Sequence, residues 1–105
     1  MKKVLFVSYL SPVGSEFVSE TFKMVSKIKD EIEHSILLKR DSVIALNDED
    51  SLEDLEKLEK RIKIYAVEED VERRRIKSRE GLKVELLSRK KLYDLVKKFD
   101  FVVFM

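Results

Sequence analysis

HSILLKRDSVIAL, residues 34–46, contains the main signal for the fold. Its apolar core, Ile36–Leu38, has the length of a buried strand and runs directly into a charged turn, Lys39–Asp41. A second apolar group, Val43–Leu46, follows at once and predicts a buried helix. Parallel α/β sheets bind their ligands at such joints, beyond the carboxyl ends of the strands. The stretch therefore predicts a binding edge at the turn after this strand.

Four further apolar runs of strand length continue the pattern: Val4–Val7, Ile62–Val67, Leu82–Leu87 and Phe101–Phe104. Between the runs, apolar residues recur at helical spacing, and Ser15, Ser51 and Ser88 are the predicted N-caps of three helices. Alternating strands and helices predict a mostly parallel sheet with helices on both faces. We therefore expect residues 1–105 to form a single α/β domain of three α/β/α layers around a five-stranded sheet.

Composition limits the classes of function. Of the 105 residues 41% are charged, but 22 basic and 21 acidic residues nearly cancel, so no global attraction to nucleic acid or membrane is expected. The lack of cysteine excludes disulfides, thiolate metal ligands and cysteine nucleophiles. High charge with a single asparagine and no glutamine predicts a thermophilic source.

The amino-terminal residues resemble a signal peptide only briefly. Lys2 and Lys3 precede the apolar run Val4–Val7, which ends at Ser8 without a small-residue cleavage site. The run therefore predicts a first strand. No apolar run approaches the ~20 residues that a membrane-spanning helix needs, so we expect a cytoplasmic protein without membrane contact.

Catalytic and cofactor motifs are poorly represented. Ser11 and Ser42 are candidate nucleophiles of a hydrolytic triad, with Asp41 as its acid. His34, however, precedes its strand and is expected at the surface, at the opposite end of the sheet from the serines. No G-x-S-x-G elbow and no glycine-rich phosphate loop occurs. The acidic run Asn47–Asp50 lacks the spacing of a calcium loop and predicts a solvated loop before the next helix. We therefore predict no catalytic residue, no cofactor and no metal site.

Two basic clusters follow predicted strands. Arg73–Arg75 comes after Glu68–Asp70 in one short predicted helix, an order of charge that the helix dipole favours and that indicates a structural role. The second cluster places Arg89, Lys90 and Lys91 at a helix N-terminus, beside free backbone amides. Cations next to such amides form anion sites, so we predict contact with phosphate, RNA or an acidic partner there, with ordinary surface charge as the alternative.

Four segments in a fixed order carry a family resemblance. Leu10–Pro12 is similar to a K-S-P segment, Leu37–Ala45 to L-L-x-Q-D-G-V-x-A, and Ile62–Val71 to I-K-V-Y-A-L-x-E-D-L, and Arg74 falls on the arginine of a following A-R-G. Through these matches the chain resembles the DsrH/TusB family of the DsrE/F/H-like superfamily, which consists of small sulfur-relay proteins. The resemblance implies a DsrE/F/H-like, flavodoxin-like architecture.

The resemblance also implies a function. In such systems a DsrE-like (TusD-like) subunit carries the persulfide cysteine, and DsrF-like (TusC-like) and DsrH-like subunits lie beside it. The relay delivers sulfur for 2-thiolation of the tRNA wobble uridine or takes part in sulfur oxidation. This chain departs from the family pattern at Ser42 and Arg75, where the family has glycines. Because it also lacks cysteine, we expect a non-catalytic subunit of such a complex, with only indirect contact to tRNA.

Eight residues are the candidate contacts with a partner or an anion: Ser11, Pro12, Arg40, Asp41, Arg74, Arg89, Lys90 and Lys91. Asp41 is expected to accept backbone amides in its turn. Arg74 is expected to pair with an acidic group, either of a partner or of Glu69 and Asp70. The alternative is a stand-alone homo-oligomer that binds an anionic ligand or RNA through Arg40 and the 89–91 cluster. A cysteine-independent enzyme on the same fold is a third option.

Overall fold

The computed structural model describes residues 2–13, 17–28 and 32–105. Its strands are β1 (Lys3–Ser8), β2 (Glu33–Leu38), β3 (Lys63–Val67), β4 (Glu85–Leu87) and β5 (Phe101–Phe104). Its helices are α1 (Phe17–Ser26), α2 (Glu49–Glu59), α3 (Glu68–Arg73) and α4 (Arg89–Val96), and a 3₁₀ helix spans Arg40–Asn47. The predicted cap Ser15 lies outside the described residues. Within the described ranges, no helix has the length and apolar character needed to cross a membrane.

The five strands form one parallel sheet in the order β4-β3-β2-β1-β5. The register pairs Phe6 of β1 with Ile36 of β2 on one side and with Val103 of β5 on the other. Ile36 pairs in turn with Ile64 of β3, so apolar side chains lie in rows across the sheet. The predicted α/β fold with five parallel strands is confirmed.

The strand order divides the helices unequally between the two faces of the sheet. Successive crossovers from β1 to β4 advance across the sheet in one direction, whereas the crossover from β4 returns past β1 to β5. Because such crossovers are right-handed, reversing the direction moves the connecting helix to the opposite face. Accordingly, of the described helices, α1, α2 and α3 pack on one face and α4 packs on the other, which gives the three predicted layers.

The face under α1, α2 and α3 holds the larger core. Phe22 and Val25 of α1, Leu55 and Leu58 of α2 and Ile36 of β2 are each at most 1% exposed. The helical residues recur at intervals of three, as expected for helices with one apolar side. Full burial of such a side chain contributes about 1.5–3 kcal/mol, so this face provides most of the hydrophobic stabilisation.

The second face is covered incompletely. The strands bury Leu5, Val7, Leu37, Tyr65 and Val67 there, but the α4 residues packed against them are only half-buried. The helix has eight residues, and a helix with its side chains is only about 10–12 Å wide. The outer strands of a five-stranded sheet are roughly 19 Å apart. One short helix therefore cannot cover the whole face.

Two local predictions are wrong in detail. The second helix begins at Glu49 with Asp48 as its N-cap, and Ser51 lies inside it, donating through its amide and hydroxyl to the Asp48 carboxylate. A carboxylate suits the cap because it also opposes the positive end of the helix dipole. The fourth strand is shorter than predicted, since Leu82 and Val84 pack against the larger core before the chain joins the sheet.

His34 is buried, so the expectation of a surface histidine is also wrong. It is 6% exposed, and its ring meets Phe6 edge-on at 6.3 Å between ring centroids. Its Nδ1 lies 2.8 Å from the Ile32 carbonyl oxygen. The reason is the sheet order, because β2 is an interior strand and His34 pairs with Val4 of β1. Its place at the amino end of β2, away from Ser42, agrees with the prediction.

The unequal burial predicts unequal costs of truncation. Leu55→Ala empties a fully buried position under α2 and should lower the free energy of unfolding by about 3–4 kcal/mol. Leu95→Ala on half-buried α4 should cost only about 1–2 kcal/mol, because water already reaches that site. Urea denaturation followed by circular dichroism measures both values. Equal losses would contradict the difference between the two faces.

Candidate binding site at the carboxyl edge of the sheet

Arg40 begins the turn after β2 in a left-handed backbone conformation, with φ of 52°. This conformation costs a non-glycine residue roughly 1–2 kcal/mol, so it requires support from neighbouring groups. The Arg40 amide donates to Asp70 Oδ2 at 2.8 Å, and the Lys39 amide donates to the Ser8 carbonyl at 3.0 Å. The turn is thus fixed by α3 on one side and by the end of β1 on the other.

Asp70 is a buried carboxylate shared by three segments of the chain. Its side chain is 4% exposed. Besides accepting from the Arg40 amide, it lies 3.6 Å from Arg74 Nη1 and 3.6 Å from Arg89 Nη2. A buried carboxylate is stable only with such partners, because its desolvation costs several kcal/mol. Asp70 therefore joins the β2 turn, α3 and α4 at one point.

Asp41 pairs with a side chain, whereas the prediction had it accept backbone amides. Its Oδ1 accepts from Arg74 Nε at 3.0 Å and lies 2.9 Å from Arg74 Nη2. The Arg40 amide of this turn donates its hydrogen bond to the Asp70 carboxylate instead. Arg74 also donates to the Asp70 carbonyl at 3.3 Å, so its guanidinium is held between two acidic residues of its own chain. Glu69 and Asp70 were the predicted internal partners of Arg74, and the structure shows the pairing with Asp70.

Ser42 is fully buried where the resemblance places a glycine. Its hydroxyl lies 2.5 Å from the Ser8 carbonyl oxygen and 2.8 Å from the Lys39 carbonyl oxygen, to either of which it can donate. These contacts tie the 3₁₀ helix to the end of β1. Among the described non-glycine residues, positive φ occurs at Arg40 and Arg75, so position 42 does not require glycine.

The N-terminus of α4 is largely occupied by protein groups. Glu69 accepts from the Arg89 amide at 3.1 and 3.0 Å, and Ser88 Oγ, the predicted cap, accepts from the Lys91 amide at 3.4 Å. The hydrogen bond from Arg89 lowers the pKa of the Glu69 carboxyl below its usual value. The side chains of Arg89, Lys90 and Lys91 remain exposed. The predicted anion contact therefore depends on these side chains more than on the helix amides.

Four residues line a pocket of about 260 Å³ where the β2 turn meets the ends of β1 and β5: Tyr9, Lys39, Arg40 and Phe104. Tyr9 follows β1 and is 40% exposed, and Phe104 ends β5 and is 66% exposed. The two aromatic residues were not among the predicted site residues. They are adjacent only because β5 pairs with β1, and an apolar run of strand length does not indicate which strand it will join.

The predicted site residues fall into two groups. Ser11 and Pro12 are half-buried in the loop after β1, where Ser11 Oγ accepts from the Val13 amide at 3.2 Å. Four of the eight predicted residues surround Asp70. Together with Asp70 they form what we call the Asp70 cluster: Arg40, Asp41, Asp70, Arg74 and Arg89. The other four lie outside it: Ser11, Pro12, Lys90 and Lys91.

A larger cavity of about 530 Å³ lies at the opposite edge, beside the amino ends of the strands. His34, Tyr65 and several lysine, glutamate and arginine side chains line it. Burial raises the pKa of the Tyr65 hydroxyl above its usual value. None of the eight predicted site residues lines this cavity, so the carboxyl edge remains the candidate site.

Comparisons with known proteins bear on the family and on the fold. The family model described as DsrH like protein matches residues 11–102. No curated protein matches the sequence significantly. The crystal structure of the YchN protein from E. coli superposes with a TM-score of 0.79 at 17% identity, over 100% of both chains. A conserved protein of unknown function from Bacteroides thetaiotaomicron gives 0.76 at 18% identity, over 99% of this chain and 95% of its own. At such identities the solved structures support the fold alone.

The Asp70 cluster predicts a graded loss of stability. Asp70→Ala leaves the Arg40 amide and two guanidinium groups without their shared acceptor and should lower the free energy of unfolding by about 2–4 kcal/mol. Asp70→Asn keeps an acceptor for the amide and should cost less. Asp41→Asn, at an exposed ion pair, is the control and should cost about 1 kcal/mol or less. Denaturation curves that rank the three variants differently would contradict this assignment.

The lowered pKa of Glu69 predicts a dependence of stability on pH. A carboxyl whose pKa is lowered by folding stabilises the folded state at pH values above its unfolded pKa, near 4.5. That stabilisation is lost as the pH falls through the lower pKa of the folded state. Glu69→Gln should therefore melt below the wild type at pH 7, and the gap should close in acid. Thermal melts between pH 3 and 7 measure the gap, with Glu53→Gln on α2 as the control. A gap that is independent of pH would show that the charge of Glu69 is irrelevant.

Proposed function

The chain belongs to the DsrH-like family, and we propose that it is a cysteine-free, non-catalytic subunit of a cytoplasmic sulfur-relay complex. Its partners in this proposal are a DsrE-like (TusD-like) subunit and a DsrF-like (TusC-like) subunit. The complex would supply sulfur for 2-thiolation of the tRNA wobble uridine or for sulfur oxidation. The family match over residues 11–102 supports this proposal, because it includes the β2 turn, α3 and α4.

The observation that carries the accessory function is the absence of cysteine from the whole chain. A relay passes sulfur as a persulfide, and the group that forms a persulfide and attacks one is a thiolate. No other side chain in the sequence can replace it. Sulfur must therefore travel on a partner's cysteine, and this chain contributes by holding or orienting that partner.

The edge strand β5 is the surface that we assign to the partner. Val102 packs under α4, whereas Phe101 and Val103 alternate with it and face the opposite side, where they are 50% and 40% exposed. Exposed apolar residues on an unpaired edge strand favour association with another chain. The topology explains the exposure, because the crossovers on that face connect β1 to β4 and do not extend over β5.

The Asp70 cluster has a supporting function in this proposal. It fixes the β2 turn, α3 and α4 relative to one another through a buried carboxylate. A partner that docks on β5 and also contacts the carboxyl edge of the sheet meets a rigid surface there, so little conformational entropy is lost on binding. Arg40, Asp41, Arg74 and Arg89 would then act as docking residues and not as chemical groups.

Affinity purification of the tagged chain from its native host tests the proposal. We expect a DsrE-like protein with a persulfide-forming cysteine to co-purify and to elute with this chain in size-exclusion chromatography. Phe101→Lys with Val103→Lys should abolish that co-elution, because charge on the edge opposes strand-to-strand association. Tyr93→Lys on α4 is the matched control, since it also replaces an exposed ring, and it should retain the partner.

Recovery of the chain only as a homo-oligomer, with no cysteine-bearing partner, would refute the accessory function. That result would favour the stand-alone alternative, in which Arg40 and the 89–91 cluster bind an anionic ligand or RNA. Loss of the partner in the Tyr93 variant as well would instead refute the assignment of the β5 edge.

A further inference from the structure

The pocket lined by Tyr9, Lys39, Arg40 and Phe104, which we call the switch-point pocket, lies where the sheet reverses its order of connection. The connection from β1 to β2 crosses one face of the sheet, and the connection that enters β5 crosses the other. The two connections therefore lead away from the adjacent strands β1 and β5 on opposite faces. Open α/β sheets bind ligands beyond the carboxyl ends of their strands at such a point. The topology thus marks this pocket independently of its side chains.

The switch-point pocket carries positive charge that the chain does not neutralise. Among the residues that the structure describes, neither the Lys39 nor the Arg40 side chain has an ion-pair or hydrogen-bond partner. The carboxylates of the adjoining Asp70 cluster are already balanced by its two other arginines. Two unpaired cations at one concave edge favour an anionic ligand.

The aromatic residues restrict which anion fits. Tyr9 and Phe104 expose large parts of their rings at the same pocket. Proteins hold single-stranded nucleic acid with basic side chains that contact the phosphates and aromatic rings that stack on the bases. The volume of about 260 Å³ lies just below the roughly 300–1,000 Å³ of small-molecule pockets, so the pocket has room for no more than one nucleotide.

The backbone of Arg40 is a separate indication. Left-handed conformations at non-glycine residues persist where the surroundings enforce them, and they concentrate at ligand sites. Here the Asp70 carboxylate holds the Arg40 amide, and the buried Ser42 hydroxyl contacts the Lys39 carbonyl. Both basic side chains therefore extend from a backbone that is fixed before any ligand binds.

We propose that the switch-point pocket binds one nucleotide unit, with its base against the two aromatic side chains and its phosphate at Lys39 and Arg40. A free nucleoside monophosphate and a nucleotide within single-stranded RNA present the same chemistry. The inference goes beyond the accessory function, since it requires neither a partner nor a cysteine. It is tested on the isolated protein, so its failure leaves the proposed function untouched.

Isothermal titration calorimetry at low salt provides the test, with AMP, UMP, inorganic phosphate and a single-stranded hexaribonucleotide as ligands. We expect a nucleotide to bind at least fivefold more tightly than phosphate, because the base adds stacking. Affinity for the RNA more than tenfold above that for the monophosphates would identify RNA as the source of the unit, and equal affinities would identify the free nucleotide. Absence of nucleotide and RNA binding up to millimolar concentration would overturn the proposal.

Variants then locate the bound ligand. Lys39→Gln with Arg40→Gln should weaken nucleotide binding at least tenfold, and Tyr9→Leu with Phe104→Leu should reduce it to the level of inorganic phosphate. Lys23→Gln with Lys27→Gln removes equal charge from exposed positions on and just after α1 and should change affinity less than twofold. Unchanged affinity in either pocket variant would overturn the proposal, as would an equal loss in the α1 control.

Discussion

The buried carboxylate of Asp70 is the interaction on which the carboxyl edge depends. It is buried because α3 begins at Glu68, directly after β3 ends at Val67, so that the third helical residue lies beneath the β2 turn. At the first turn of a helix the carboxylate also faces the positive end of the helix dipole. Its desolvation is then offset by one backbone amide and two guanidinium groups. The same group sets the backbone of Arg40, and through it the geometry of the switch-point pocket.

One reversal in strand order accounts for most of the remaining architecture. It sends three helices to one face and a single short helix to the other, so one core is thick and the other thin. It also places β5 beside β1, which creates the pocket at the carboxyl end of that pair and leaves Phe101 and Val103 exposed. Glu69 and Asp70 anchor the start of α4, which compensates in part for its limited packing.

The sequence predicted what depends on neighbouring residues and missed what depends on strand order. Local apolar runs identified all five strands, helical spacing identified α1, α2 and α4, and the order of charges identified α3, because all these patterns are read within one segment. The resemblance to the DsrH/TusB family, for which the segment around Asp41 was one of four signals, is confirmed at the level of the family by the match over residues 11–102. The burial of His34, the pairing of Asp41 with Arg74, and the approach of Tyr9 and Phe104 were all missed. Each requires knowing which strands are adjacent, and no local pattern contains that information.

Arg40 has a left-handed backbone conformation that glycine adopts more easily than arginine. Glycine would adopt this conformation without steric cost, whereas arginine does so at a penalty. On steric grounds alone, glycine would therefore suit this position better. At the turn after β2 the arginine supplies a charged side chain that glycine could not, and the hydrogen bond from its amide to Asp70 supports the backbone that it adopts.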